Sequence, residues 1–196
     1  MKRINVGILL FDDVETLDFA GPFEVFSITG QRNGNGDFNV FTIAKNSGPI
    51  LAVNGLSINP NYLFNNCPEV EILIVPGGYG TRRLIEDDET IQWIKQKANL
   101  ATLVLSVCTG SLLLAQAGLL SGLSATTHHL CYDLLERIDS SIKLKEERFV
   151  DNGRILTAAG IAAGIDMSLH VVSRVIGKNA AVETANYMEY PYYEKN

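Results

Sequence analysis

"LVLSVCTGSLLLAQAG", residues 103–118, changes period at its centre. Residues 103–107 form a largely apolar run, with Ser106 within it, of the kind buried on both faces of a parallel sheet, and from Gly110 to about 117 the apolar spacing is helical. Cys108 falls at the junction, so the stretch reads as a strand feeding directly into a helix. That is the repeating unit of an α/β fold. Upstream, strand-like runs at 4–11, 38–44, 70–78 and 101–107 lie at βαβ spacing, with helices expected over 21–29, 79–86 and 89–98. Pro22 is expected to open the first helix, and Asp87 or Asp88 to cap the last. Asn54-Gly55, between two short apolar pairs, signals a two-residue hairpin. Downstream follow a short strand at 124–128, a helix at 129–138, a strand pair within 147–157 and a long helix at 162–176. The sum is a flavodoxin-like three-layer α/β sandwich with a mainly parallel sheet and a small β-hairpin projection.

Composition agrees. The 196 residues are 46% hydrophobic and 19% charged, which suits a single domain over 1–196 with a sizeable core. A net charge of −6 with no basic stripe argues against a nucleic-acid partner. In "MKRINVGILLFDDVETLD" two positive charges precede a short apolar run, but acids follow at once, so it reads as a first strand and not a signal peptide. No window reaches the ~18–20 consecutive apolar residues that span a bilayer, so no membrane association is expected. Cys67, Cys108 and Cys131 are odd in number and widely spaced, unlike a disulfide framework or a metal motif. They fit a cytoplasmic location. Three scattered histidines offer no ligand cluster, and neither metal nor cofactor is expected.

In open parallel sheets, ligands bind beyond the carboxyl ends of the strands. The segments there are "DDVETLDFAGP", "PGGYG", "CTGS" and "THH", which should converge on one crevice. At a sharp strand-to-helix turn a side chain is pushed above the sheet, and the first-turn amides and helix dipole lower a thiol pKa. Cys108 therefore reads as a nucleophile, against the alternative of a small core residue; Cys67 and Cys131 lack that setting and read as structural. The Gly78 amide can pair with the Thr109 amide to hold an anion, or "PGGYG" can be an ordinary exit turn. For proton transfer the candidates are Asp12, Asp13, Glu15, Asp18 and Glu24 after the first strand, and His128 and His129 after the short one. Asp18, flanked by Leu17 and Phe19, is either a partly desolvated acid of raised pKa or a helix-capping residue. Glu24 reads as a first-turn acid.

Together, "GILLFDDVETLDFAGPFEVF", "ILIVPGGYGTRRL", "SVCTGSLLLAQAGLLSGLSATTHH" and "RILTAAGIAAGIDMSLHVV" resemble the ThiJ/PfpI superfamily, related to class I glutamine amidotransferases. More closely they are similar to its isonitrile hydratase branch and to the amidase-like domain that begins certain AraC-type regulators. The resemblance covers almost the whole chain. It implies that Cys108 is the nucleophile of a cysteine elbow, Thr109 its supporting neighbour and Asp18 the essential acid. His128 matches a pocket histidine of the superfamily, while His129 stands where the hydratases carry tryptophan.

The branch implies a hydratase that adds water to a small substrate, an isonitrile giving an N-substituted formamide. Other activities of the superfamily are a glyoxalase or deglycase and an amidase or protease; a non-enzymatic ligand or oxidation sensor is a further class. Thr109 stands where protease-like and glyoxalase-like relatives place histidine, which turns the reading away from a Cys-His hydrolase. No late His-x-Glu pair exists, since His170 lies within a helical pattern. "GIAAGID" resembles the branch's glycine-rich helix start, with Asp166 read as structural. The chain stops near Asn196 without DNA-binding helices, so a free-standing enzyme is expected, and the family implies a homodimer.

Overall fold

The apolar runs become the inner strands of a seven-stranded sheet in the computed structural model, which describes residues 2–31 and 36–192. The first half of the chain forms β1 (Ile4–Leu10), α1 (Thr16–Ile28), β2 (Phe38–Ala44), β3 (Ile50–Leu51), β4 (Ser57–Ile58), β5 (Tyr62–Leu63), β6 (Ile72–Val75), α2 (Thr81–Leu84) and α3 (Asp88–Leu100). The second half forms β7 (Leu103–Val107), α4 (Gly110–Gln116), β8 (Ser124–Ala125), α5 (Tyr132–Ile138), β9 (Lys143–Leu144), β10 (Phe149–Asp151), β11 (Ile155–Ala158), α6 (Ala163–Val175) and α7 (Lys178–Tyr187).

The sheet runs β10-β11-β7-β6-β1-β2-β5, and every neighbouring pair is parallel except β10 and β11. β6 and β7 are buried throughout, as strands covered by helices on both faces must be. One helix layer is α1, α6 and α7; the other is α2 to α5. The chain leaves β1 for β2 on one side and reaches β6 on the other, so the order reverses at β1. The crevice of such a sheet opens there, above the ends of β1, β6 and β7. Among the described residues no helix is long and apolar enough to cross a membrane.

Several elements differ from expectation, each for a local reason. α1 begins at Thr16, not near Gly21, and Pro22 lies inside it. The cause is upstream: Val14 bridges to Gly78 and Glu15 N–H donates to Gly77 O (2.9 Å), which ends the extended loop at once. Pro22 leaves the Asp18 carbonyl without its usual helical donor, a tolerable loss near a helix start. Glu24 is thereby a mid-helix, exposed residue, not a first-turn acid. The hairpin forms, with Asn54 and Gly55 both at positive φ (69° and 86°). Ala52 N–H to Leu56 O closes three residues, not two. The strand expected over 124–128 stops at Ala125, because Thr126 N–H donates to the Thr157 hydroxyl (2.9 Å) and leaves the ladder. Asp87 is the cap of α3, accepting from Thr90 N–H. β5, β9 and α7 had no expectation; α7 buries Ala181, Thr184 and Ala185, too small a stripe to register as apolar periodicity.

Candidate active site

Asp18, the Pro76–Gly80 loop, Cys108 and His128 arrive together at the ends of β1, β6, β7 and β8. Cys108 has φ +55, the left-handed region that costs a non-glycine residue about 1–2 kcal/mol. Its surroundings fix that conformation. Its N–H donates to Ala158 O and Ala159 O (3.1 and 3.0 Å), and its carbonyl accepts from the Ser111 and Thr127 hydroxyls (both 3.1 Å). Gly110 follows because a Cβ there would strike the Val75 carbonyl and lie 2.9 Å from Pro76 O. The turn is therefore sharp, fully bonded and backed directly against β6.

Asp18 sits in the first turn of α1 and is completely buried. Gly77 N–H donates to its Oδ2 (3.0 Å), while Oδ1 has no partner of standard geometry among the described residues. A Cβ on Gly77 would lie 2.8 Å from Oδ2 and 2.5 Å from Thr109 N, so only glycine lets β6's exit loop meet both. Burial pushes the Asp18 pKa up to about 7, against the Gly77 and Cys108 hydrogen bonds that lower it and with a small addition from Glu15. The α1 dipole favours the carboxylate by only ~0.3–1 kcal/mol, and burial outweighs it.

Cys108 is 6% exposed. Burial and the facing Asp18 carboxylate push its thiol strongly above the ordinary range, while the Thr109 amide and hydroxyl pull the other way. This corrects the expectation of a thiol acidified by α4. A helix of seven residues cannot offset desolvation plus a like charge. The Asp18 carboxyl and the Cys108 thiol face one another, and each shifts the titration of the other.

Thr109 is 3% exposed. Its Oγ1 accepts from Gly78 N–H (3.0 Å) and its hydroxyl donates to Gly78 O (3.2 Å), which also accepts from the Thr81 hydroxyl (2.8 Å). Gly78 N–H, expected to join the Thr109 amide in holding an anion, is thus committed to a side chain. His128 accepts from Leu130 N–H at Nδ1 (3.3 Å), so the neutral ring carries its proton on Nε2. Burial, then His129 and Arg82, lower its pKa. His129 is exposed and stacks on His128, with centroids 4.4 Å apart.

A cavity of about 300 Å³ opens over Cys108, Thr109, Gly78 and His128. Tyr79, Arg82, Leu130, Cys131 and Ile161 also line it, and no periodicity in the sequence marks them as site residues. Cys131, read as merely structural, accepts from Arg82 at 3.1 Å and lines this cavity. The available signal was its place three residues after His128. Glu15 lines the cavity too, whereas Asp12 accepts from Leu51 N–H and Asp13 pairs with Arg83 (2.8 Å) away from it. Cys67 lies at the core margin near Phe64. His170 binds Asp151 (2.7 Å), and Asp166 pairs with Arg148 and accepts from Tyr190 (3.1 Å).

Comparison with known proteins places this geometry in context. Residues 4–174 match the model of the DJ-1/PfpI family. The chain is 37% identical over 187 residues to the isonitrile hydratase of Pseudomonas putida, covering 95% of this chain and 78% of the relative. It is 27% identical over 186 residues to the HTH-type transcriptional regulator GbdR of Pseudomonas aeruginosa, 95% of this chain but half of that protein. A crystal structure of a ThiJ/PfpI family protein from Pseudomonas syringae superposes with a TM-score of 0.87 at 30% identity, over 100% of this chain and 79% of the other. With the match spanning nearly the whole chain, from the strand before Asp18 to the helix after Ile161, the protein belongs to the DJ-1/PfpI family.

Proposed function

We propose that the protein is a cysteine-dependent hydratase that adds water to an isonitrile, giving an N-substituted formamide. One observation carries the reading: a fully buried carboxyl of pKa about 7, with an unengaged oxygen, set against a thiol on a left-handed strand-to-helix turn. The terminal carbon of an isonitrile needs a nucleophile and a proton on the same atom, and one thiol with one acid provides both. The pair starts with a single proton, on sulfur. Asp18 takes it as Cys108 Sγ bonds to the carbon, then returns it to that carbon, leaving the thioimidate Sγ–CH=N–R. Water adds across C=N with Asp18 as base. Asp18 takes the hydroxyl proton as the adduct collapses and expels the Cys108 thiolate, passes that proton to the sulfur, and R–NH–CHO leaves. Thr109 steadies the Cys108 sulfur, and His128 Nε2–H is the donor assigned to the substrate nitrogen.

Carbonyl chemistry would ask for more. A hydrolase or glyoxalase develops an oxyanion that two free donors hold, and Gly78 N–H is already spent on Thr109. An isonitrile brings no oxygen to the first addition. The 37% identity to an isonitrile hydratase supports the same choice. The test is formamide production from cyclohexyl isocyanide by the purified protein, with methylglyoxal loss measured beside it. Cys108→Ala and Asp18→Asn should each cost ~10²-fold or more. Turnover at the unsubstituted rate in either variant, in folded protein, overturns the assignment; loss of methylglyoxal alone would favour a glyoxalase. The reading includes a cytoplasmic homodimer, which sedimentation velocity at micromolar concentration checks.

A further inference from the structure

We infer that the cavity contains a second subsite, at Arg82, for an anionic group on the substrate, so that the preferred electrophile carries a carboxylate. Three other arginines face carboxylates: Arg83 with Asp13, Arg148 with Asp166, and Arg174 with Asp151. Arg82 faces none among the described residues. Its contacts are a carbonyl, a hydroxyl and a sulfur: Nη1 donates to Gly78 O (3.1 Å) and Thr81 Oγ1 (3.3 Å), and Nη2 donates to Cys131 Sγ (3.1 Å). The guanidinium carbon also lies 5.8 Å from the Tyr79 ring centroid. These partners fix the group and include no carboxylate. Of its five N–H donors, Nε–H and one on Nη2 have no partner among the described residues, and a planar fork of that kind suits a carboxylate.

The cavity shape and its other charges decide where an anion would lie. Arg82 lines the same cavity as Cys108, a volume of about 300 Å³ that suits a small molecule. Ile161, Leu130 and Tyr79 supply apolar lining for the body of such a molecule. Glu15 also lines the cavity and makes no ion pair with Arg82; its charge acts on Asp18, which faces the thiol. An anionic substituent is repelled there and drawn to Arg82, which turns the electrophilic end to Cys108.

The inference takes its electrophile from the hydratase reading, but its charge preference stands apart from it. Alkylation of Cys108 by iodoacetate and by iodoacetamide, two reagents of nearly equal size, reads the preference directly when followed by peptide mapping that counts Cys131 separately. The rate ratio cancels any general change in thiol reactivity. Arg82→Gln should lower the iodoacetate-to-iodoacetamide ratio by roughly 2- to 5-fold, the range of one partly exposed ion pair. Glu15→Gln should raise it, and Arg82→Lys should keep most of it. The same ordering is expected for turnover of 4-isocyanobenzoate against phenyl isocyanide. An unchanged ratio in Arg82→Gln overturns the subsite, even if isonitriles are hydrated. A shifted ratio in a protein that hydrates no isonitrile upholds the subsite and removes the hydratase.

Discussion

Replacing Asp18 with asparagine should stabilise the protein at alkaline pH while abolishing turnover. The Asp18 pKa rises from 3.8 in an ordinary carboxyl to about 7 in the fold. At ~1.36 kcal/mol per unit, that shift makes the buried carboxylate a burden of roughly 4 kcal/mol above pH 7. Because the folded value is the higher one, the folded state binds the extra proton, and stability falls as pH climbs from about 4 through 7. Asparagine carries no charge, can keep the bond from Gly77 N–H, and meets no lost partner at Oδ1. Burying its amide imperfectly satisfied takes back ~1–2 kcal/mol. The expected net gain is ~2 kcal/mol at pH 8, a rise of on the order of 5 °C in Tm for a chain of this size. It should shrink steadily below pH 7 and reverse near pH 4. Thermal melts of both proteins from pH 4 to 8 read this out. A variant less stable by the same amount at every pH would refute the reasoning, since it would make Asp18 a structural partner and not a desolvated acid.

The pH dependence of kcat/KM for the proposed hydration should show an acid limb of unit slope with an apparent pKa near 7, where Asp18 loses its role as base. No alkaline limb should follow in the range where an ordinary thiol ionises, because burial and Asp18 hold the Cys108 thiol up. Thr109→Val should cost ~1–3 kcal/mol in urea unfolding, since it strips Gly78 N–H of its acceptor, whereas Thr109→Ser should stay within ~1 kcal/mol of the parent. Gly110→Ala should cost about 3 kcal/mol or more, or prevent soluble expression, because its Cβ meets the backbone of Val75 and Pro76.

The parallel sheet was legible because β1, β6 and β7 are apolar runs broken by at most Asn5, Gly7 and Ser106, and that pattern has few other uses in a chain of this charge. The turn at Cys108 was legible from the change of period. Asp18 could be singled out from its apolar neighbours. Its burial could not, since that depends on the Val14–Gly78 bridge that starts α1 early. Long-range packing also hid the state of the thiol: from 103–118 alone the visible charge is the dipole of α4, whereas burial raises the thiol most and the carboxylate that adds to it lies ninety residues upstream. The commitment of Gly78 N–H to Thr109 was invisible for the same reason, being a contact between two loops 31 residues apart. Arg82 and Cys131 were hidden because a cavity wall carries no periodicity.

The central claim is a carbon–sulfur bond between Cys108 and the substrate, and acid-quenched mass spectrometry during steady-state turnover tests it most directly. Peptide mapping should find the mass of one isonitrile added at Cys108 alone, with the formamide product carrying oxygen from labelled water. Formamide produced at an undiminished rate by Cys108→Ala, or an unmodified Cys108 in a protein that leaves isonitriles untouched, would contradict it.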